Sequence, residues 1–76
     1  MYIIHNKTKH KTFSYEGSWP DDMLEKMLEA GDRVIVISLY SNTIKVPYSY
    51  IDNGIKVWEW DDYPLFNYFN HYAIPV

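Results

Sequence analysis

Two spacings of apolar residues alternate along the chain. Met1 to Asn6 is a short apolar opening, and Lys11 to Tyr15 alternates Thr12 and Ser14 with Phe13 and Tyr15. A period of two marks a strand with one buried face, so the pattern predicts two strands joined by the polar turn Lys7 to His10. From Trp19 onward the period lengthens. Pro20, Met23, Leu24, Met27 and Leu28 fall at i, i+3, i+4, i+7 and i+8, which lays one apolar stripe along a helix of about Trp19 to Ala30 and turns Asp22, Glu25, Lys26 and Glu29 outward. Ser18 offers an N-cap hydroxyl, Pro20 falls in the first turn where its missing N–H is harmless, and Gly31 suits a left-handed C′ position.

Arg33 to Tyr40 is β-branched and almost continuously apolar, as a central strand covered on both faces must be. Ser41-Asn42 reads as a two-residue turn into Thr43 to Ile51, which sets Leu39 opposite Ile44, Ile37 opposite Val46 and Ile35 opposite Tyr48 on one shared face. Pro47 marks a bulge or an edge position. Asp52-Asn53-Gly54 is the strongest hairpin signal, because Asn-Gly supplies the positive φ values of a type I′ turn, and Ile55 to Trp60 is the returning strand. Its register has two solutions. A loop of Asn53-Gly54 alone puts Tyr48 opposite Glu59 and Tyr50 opposite Val57, and turns Trp58 and Trp60 away from the face of Ile35, Ile37 and Ile44. A bulged loop that includes Asp52 puts Tyr48 opposite Trp58 and brings both tryptophans onto that face, since a slip of one residue exchanges the faces.

The predicted fold is therefore α+β: a single small domain over residues 1–76 in the order ββαβββ, an antiparallel sheet with one main helix packed on one face. One helix covers only one face. The segment Tyr63 to Tyr72 is expected to cover the other, with Asp62 capping a short helical turn that aligns Leu65, Phe69 and Tyr72; failing that, the face is an interface.

Composition narrows the function. With 76 residues, 47% of them hydrophobic and a formal charge of −3, the chain is too apolar for a disordered tail and too short to wrap a cofactor-binding fold around a substrate. The absence of cysteine excludes disulfide scaffolds and thiolate metal sites. No apolar run reaches a membrane span and the start has no signal-peptide pattern, so no membrane association is expected and the chain is placed in a cytoplasm, its own or a host's. His5, His10 and His71 share no ligand spacing and the three glycines form no phosphate loop; no metal, no cofactor and no catalytic residue is expected. The reading is a protein without enzymatic activity.

Charge is unevenly placed. Lys7, Lys9, His10 and Lys11 crowd the first turn, where aromatic neighbours make a small nucleic-acid-binding module the alternative function. Asp22, Glu25 and Glu29 form an acidic helix face. Trp58, Glu59, Trp60, Asp61, Asp62 and Tyr63 form a dense aromatic and acidic run, and tyrosine and tryptophan anchor interfaces because each joins a large rigid surface to a polar handle. With Tyr48, Tyr50, Phe66, Tyr68, Phe69 and Tyr72 in the same third of the chain, a small core has no room for all of these aromatics; the set is expected to be partly exposed to a partner, with the run from Trp58 to Tyr63 as the expected protein-binding surface and the helix face as a second contact.

In size, composition and element order the chain resembles the small, acidic, cysteine-free α+β proteins encoded in accessory regions of bacteriophage genomes. That resemblance implies a noncatalytic inhibitor of the host-takeover or anti-defence type, anti-CRISPR proteins among them, which occludes a basic groove on a host protein or protein–nucleic acid complex in the host cytoplasm. A charge of −3 is mild for a mimic of nucleic acid, so apolar anchoring is expected to carry much of the affinity. A structural homodimer is a further alternative.

Overall fold

A computed structural model describes residues 1–65. Its elements are β1 (Tyr2–Asn6), β2 (Lys11–Tyr15), α1 (Asp21–Glu29), β3 (Val34–Ser38), β4 (Thr43–Asp52) and β5 (Ile55–Pro64). The strands form one antiparallel sheet in the spatial order β2-β1-β3-β4-β5, with the β-branched β3 in the middle. This is the ββαβββ, α+β arrangement that the apolar spacing predicts. Val34, Ile35 and Val36 are all buried, because alternate residues of a central strand meet different layers.

The helix closes one face. Leu24 and Leu28 pack with Ile4, Val34 and Val36, ringed by Tyr2, Phe13, Tyr15, Trp19, Met23, Met27, Trp58 and Trp60. On the opposite face Ile35 and Ile44 are buried with Ile37, Val46 and Leu65 around them. Leu65 also donates its N–H to the Asn42 carbonyl at 3.2 Å. Phe69 and Tyr72, expected to extend this cover, lie outside the described residues.

The helix begins at Asp21, two residues later than the stripe suggests, and Ser18 does not cap it. Pro20 is the N-cap at φ −83° and ψ 66°, without a side-chain cap, and the Asp21 N–H reaches the Trp19 carbonyl at 3.0 Å. Those values describe an inverse γ-turn centred on Pro20, so the proline turns the chain into the helix instead of serving as its first residue. Asp21 and Asp22 then place negative charge at the positive end of the helix dipole. At the other end Gly31 has φ +86°, its N–H bonds to the Leu28 carbonyl and that of Asp32 to Met27, both at 3.0 Å. This is a Schellman motif, and the positive φ explains the glycine.

The β3–β4 connection and the end of β5 differ from expectation. Ile37 faces Ile44 and Ser38 faces Thr43, so the β3–β4 connection is four residues, Leu39 to Asn42, rather than Ser41-Asn42 alone. The register moves by two, which leaves Ile35, Ile37, Ile44 and Val46 on their common face but removes Leu39 to the surface, 47% exposed. The Ser41 hydroxyl bridges Ser38 and Thr43 at 3.1 and 2.8 Å and braces this longer loop. Asp62 caps no helix. It lies inside β5 and pairs with Lys45 at 2.7 Å, because β5 runs on to Pro64 against Thr43.

The last hairpin takes the two-residue solution. Asn53 and Gly54 have φ 51° and 79°, as a type I′ turn requires, and Tyr48 faces Glu59 while Tyr50 faces Val57. Trp58 and Trp60 therefore point to the helix side. Pro47 causes no bulge, since the β4–β5 register runs unbroken from Asp52–Ile55 to Thr43–Pro64. Counting back from the turn, alternation aims the nitrogen of residue 47 at β3, where proline has no hydrogen to give, and β3–β4 pairing stops at Lys45.

Leu24 is 1% exposed in the middle of the helix-side core. Leu24→Ala is expected to cost about 2 to 5 kcal/mol in urea denaturation; a loss under about 0.5 kcal/mol would mean that the helix does not pack as described.

Candidate functional site

Ending β3–β4 pairing at Lys45 frees the rest of the last hairpin. Tyr48–Glu59 forms an arm without a β3 neighbour, in a molecule measuring 37 × 24 × 21 Å. Tyr48, Tyr50, Ile51, Ile55 and Tyr63, all on this hairpin, are 43 to 68% exposed; elsewhere among the described residues only Leu39 and Tyr40 are comparable. Apolar surface gathered on one projecting element is the mark of an interaction site.

Strand alternation sorts the hairpin into two surfaces. Tyr48, Tyr50, Glu59, Asp61 and Tyr63 share the side away from the helix. The Tyr48 and Tyr50 rings stack at 6.4 Å and 29°, the Tyr50 hydroxyl donates to Glu59 Oε1 at 3.5 Å and the Tyr63 hydroxyl to Asp61 Oδ2 at 3.5 Å. These long bonds orient the phenols and leave both carboxylates with accepting capacity. Desolvation first, then the negative charges of Asp61 and Glu59 and the neighbouring Tyr50, raises the Tyr48 hydroxyl above its ordinary 10.0. The hydroxyl stays protonated at neutral pH. The face offers flat aromatic area, phenolic donors and two anionic acceptors, which suit recognition more than proton transfer.

The other three residues of the expected run, Trp58, Trp60 and Asp62, lie on the helix side. Trp60 meets Trp19 edge to face at 5.2 Å, and Trp19 meets Tyr2 likewise at 5.3 Å. Trp58 lies under the Lys56 ammonium, 4.7 Å from its ring. Both tryptophans are half-buried against the core. The structure thus divides the run instead of presenting it as one surface. Of the helix acids, Asp22, Glu25 and Glu29 are all exposed, and Glu25 shares with Asp21, Lys56, Trp58 and Trp60 a groove of about 300 Å³. That is the lower bound for a small-molecule site, and this groove is open. Asp21, Asp22 and Glu25 hold carboxylate oxygens within 4.8 Å of one another at the surface; the helix dipole accounts for their placement.

Beyond the same Val34 end of β3 that the arm overruns, but on the β1–β2 hairpin, the basic turn is built from the inside. The side chain of Asn6, 2% exposed, accepts the Lys9 N–H at 3.0 Å and donates to Asp32 at 2.9 Å. The Thr8 hydroxyl accepts the Arg33 N–H at 2.9 Å. Arg33 therefore joins Lys7, Lys9, His10 and Lys11, while the Lys9 ammonium meets Asp32 at 3.5 Å. His5 contacts the Thr12 hydroxyl at 2.6 Å, and His71 lies outside the described residues.

Beyond that run the hairpin also exposes Tyr48 and Tyr50, which belong to the aromatic third read from the sequence, and Ile51 and Ile55, which do not. Their signal was present as Pro47 followed by an Asn-Gly turn: a proline that ends pairing on one side and a turn that extends the hairpin beyond it. No helix among the described residues is long and apolar enough to cross a membrane. In comparisons with known proteins, no family, curated protein or solved structure matches the chain.

The raised Tyr48 gives a pH signature. Folded Tyr48 holds its proton above 10.0 while the unfolded chain ionises there, so its contribution is intact below that pH and is lost as pH rises through the folded value. Tyr48→Phe is expected to flatten the alkaline fall of the urea midpoint; an alkaline slope equal to that of the wild type would contradict the assignment.

Proposed function

We propose that the protein is a noncatalytic binding module that lays the tyrosine and carboxylate side of its β4–β5 arm on a basic groove of a host protein or protein–nucleic acid complex and blocks the site beneath. The carrying observation is the gathering of exposed Tyr48, Tyr50 and Tyr63 with Glu59 and Asp61 on one side of a projecting hairpin. Stacked tyrosines lose little conformational entropy on binding and supply contact area, while the acids speed encounter with a positive surface. The phage-type inhibitor implied by size, composition and element order fits this reading, because occlusion needs a rigid surface and no cleft. Such a protein acts in the cytoplasm of its host.

Capture from a bacterial lysate, read by mass spectrometry with the wild type and Tyr48→Ala/Tyr50→Ala side by side, tests the reading. The double variant is expected to weaken a captured partner about 30-fold or more without loss of fold. Glu59→Lys/Asp61→Lys is expected to slow association and reduce its salt dependence, whereas Asp62→Lys acts mainly through Lys45 and the fold. A partner held equally well by all these variants binds elsewhere.

The basic turn supports a second reading as a small nucleic-acid-binding module, because Arg33 is brought to Lys7 and Lys11. With Lys9 paired to Asp32, the three cations without an acidic partner among the described residues, Lys7, Lys11 and Arg33, predict a log-log salt slope on duplex DNA no steeper than about −3. Submicromolar, steeply salt-dependent binding measured by fluorescence anisotropy would place this reading first.

A further inference from the structure

We infer that β5 is a self-complementary edge through which two copies of the chain pair antiparallel about a two-fold axis at Glu59. Among the described residues β5 ends the sheet. It is ten residues long and unbroken by a bulge, whereas β2, the other edge, has five. A long regular edge without a bulge is a template for another strand. The type I′ turn makes Asp52–Ile55 the first hydrogen-bonded pair, so alternation aims the N–H and C=O groups of Lys56, Trp58, Trp60 and Asp62 outward, away from β4.

Those four positions determine the register. Pairing centred on Glu59 sets Lys56 against Asp62 of the second copy and Trp58 against Trp60 of the second copy, so every outward backbone group finds a partner. The same register opposes Ile55 and Tyr63, which are 67% and 46% exposed in the single chain. Asp62, already 2.7 Å from Lys45, then lies between two ammonium groups. Centring one residue pair nearer the turn, on Trp58, sets Ile55 against Asp61 and Val57 against Glu59, and leaves Asp62 opposite the turn. Centring on Trp60 sets Lys56 against Pro64, which has no N–H. Of these three registers only the one centred on Glu59 joins charge to opposite charge, at Lys56 and Asp62, while also joining Ile55 to Tyr63; its costs are Glu59 facing its own copy and Val57 facing Asp61 of the second copy. The helix contacts β3, two strand spacings or about 10 Å from the edge, so both helices fit on the same side of a ten-stranded sheet. The tyrosine side of each arm stays open on the other, and this pairing holds whether or not that side binds a partner.

The absence of cysteine makes the test specific. On the axis, residue 59 is a non-hydrogen-bonded pair with a Cα separation of about 4.5 Å, within disulfide reach, whereas residue 61 lies four positions from its own copy, about 13 Å away. Under mild oxidation Glu59→Cys is expected to form a covalent dimer at least about tenfold faster than Asp61→Cys. Light scattering of the wild type is expected to rise with concentration toward twice 9.1 kDa, with Lys56→Asp weakening and Glu59→Gln tightening the association; circular dichroism confirms that each variant is folded. A wild type that stays at 9.1 kDa up to about 1 mM overturns the pairing. Equal oxidation of the two cysteine variants, or a dimer that neither charge variant moves, overturns it as well.

Discussion

Asn53 and Gly54 occupy the left-handed region with no third residue beside them, and the count of two decides where every aromatic of the last hairpin lies. A third loop residue would shift the pairing by one and invert the strand. Trp58 and Trp60 would then leave the helix, removing Trp60 from its contact with Trp19, while Glu59 and Asp61 would turn toward the α1 side. The tyrosine and carboxylate surface, the half-buried tryptophans and the Lys45–Asp62 pair all follow from the same parity.

Pro47 acts on the same hairpin from the other side. Its lack of an N–H ends the β3–β4 ladder at Lys45, so the part of the hairpin beyond it gets rigidity from its own cross-strand bonds and from the turn. Projection and regularity together explain why exposed apolar groups are tolerated there. The remaining core is small: Ile4, Leu24, Leu28, Val34 and Val36 under the helix, Ile35 and Ile44 on the reverse. An aromatic rim of Tyr2, Trp19 and Trp60 in edge-to-face contact extends the apolar area without requiring full burial of any one ring.

Much of this was legible in residue spacing, and the exceptions have physical causes. The helix stripe, the Gly31 terminus and the β-branched centre of β3 depend on local periodicity or on one residue's conformational range, so they can be read directly. The start of α1 is not local in this sense: Ser18 and Pro20 fit a cap by type, while Pro20 instead closes an inverse γ-turn. The β3–β4 loop exceeds its sequence signal because Leu39 and Tyr40 look like strand by propensity; the Ser38, Ser41 and Thr43 hydroxyls that brace the loop act across space. Asp62 looked like a cap because an acid before an aromatic segment is a common cap, yet a cross-strand lysine seventeen positions away claims it. The tyrosine side of the arm was hidden for a similar reason: a contiguous run of aromatic and acidic residues in a strand is two surfaces, and only the pairing register says which residues belong to each.

All three tryptophans belong to the helix-side cluster, while Tyr48, Tyr50 and Tyr63 occupy the reverse of the hairpin. The molecule therefore carries two separable reporters. Indole emission follows the packing of helix on sheet, and the individual ring resonances of Tyr48, Tyr50 and Tyr63 follow the exposed side of the arm. Loss of fold and contact at the arm can thus be watched independently in one unlabelled sample.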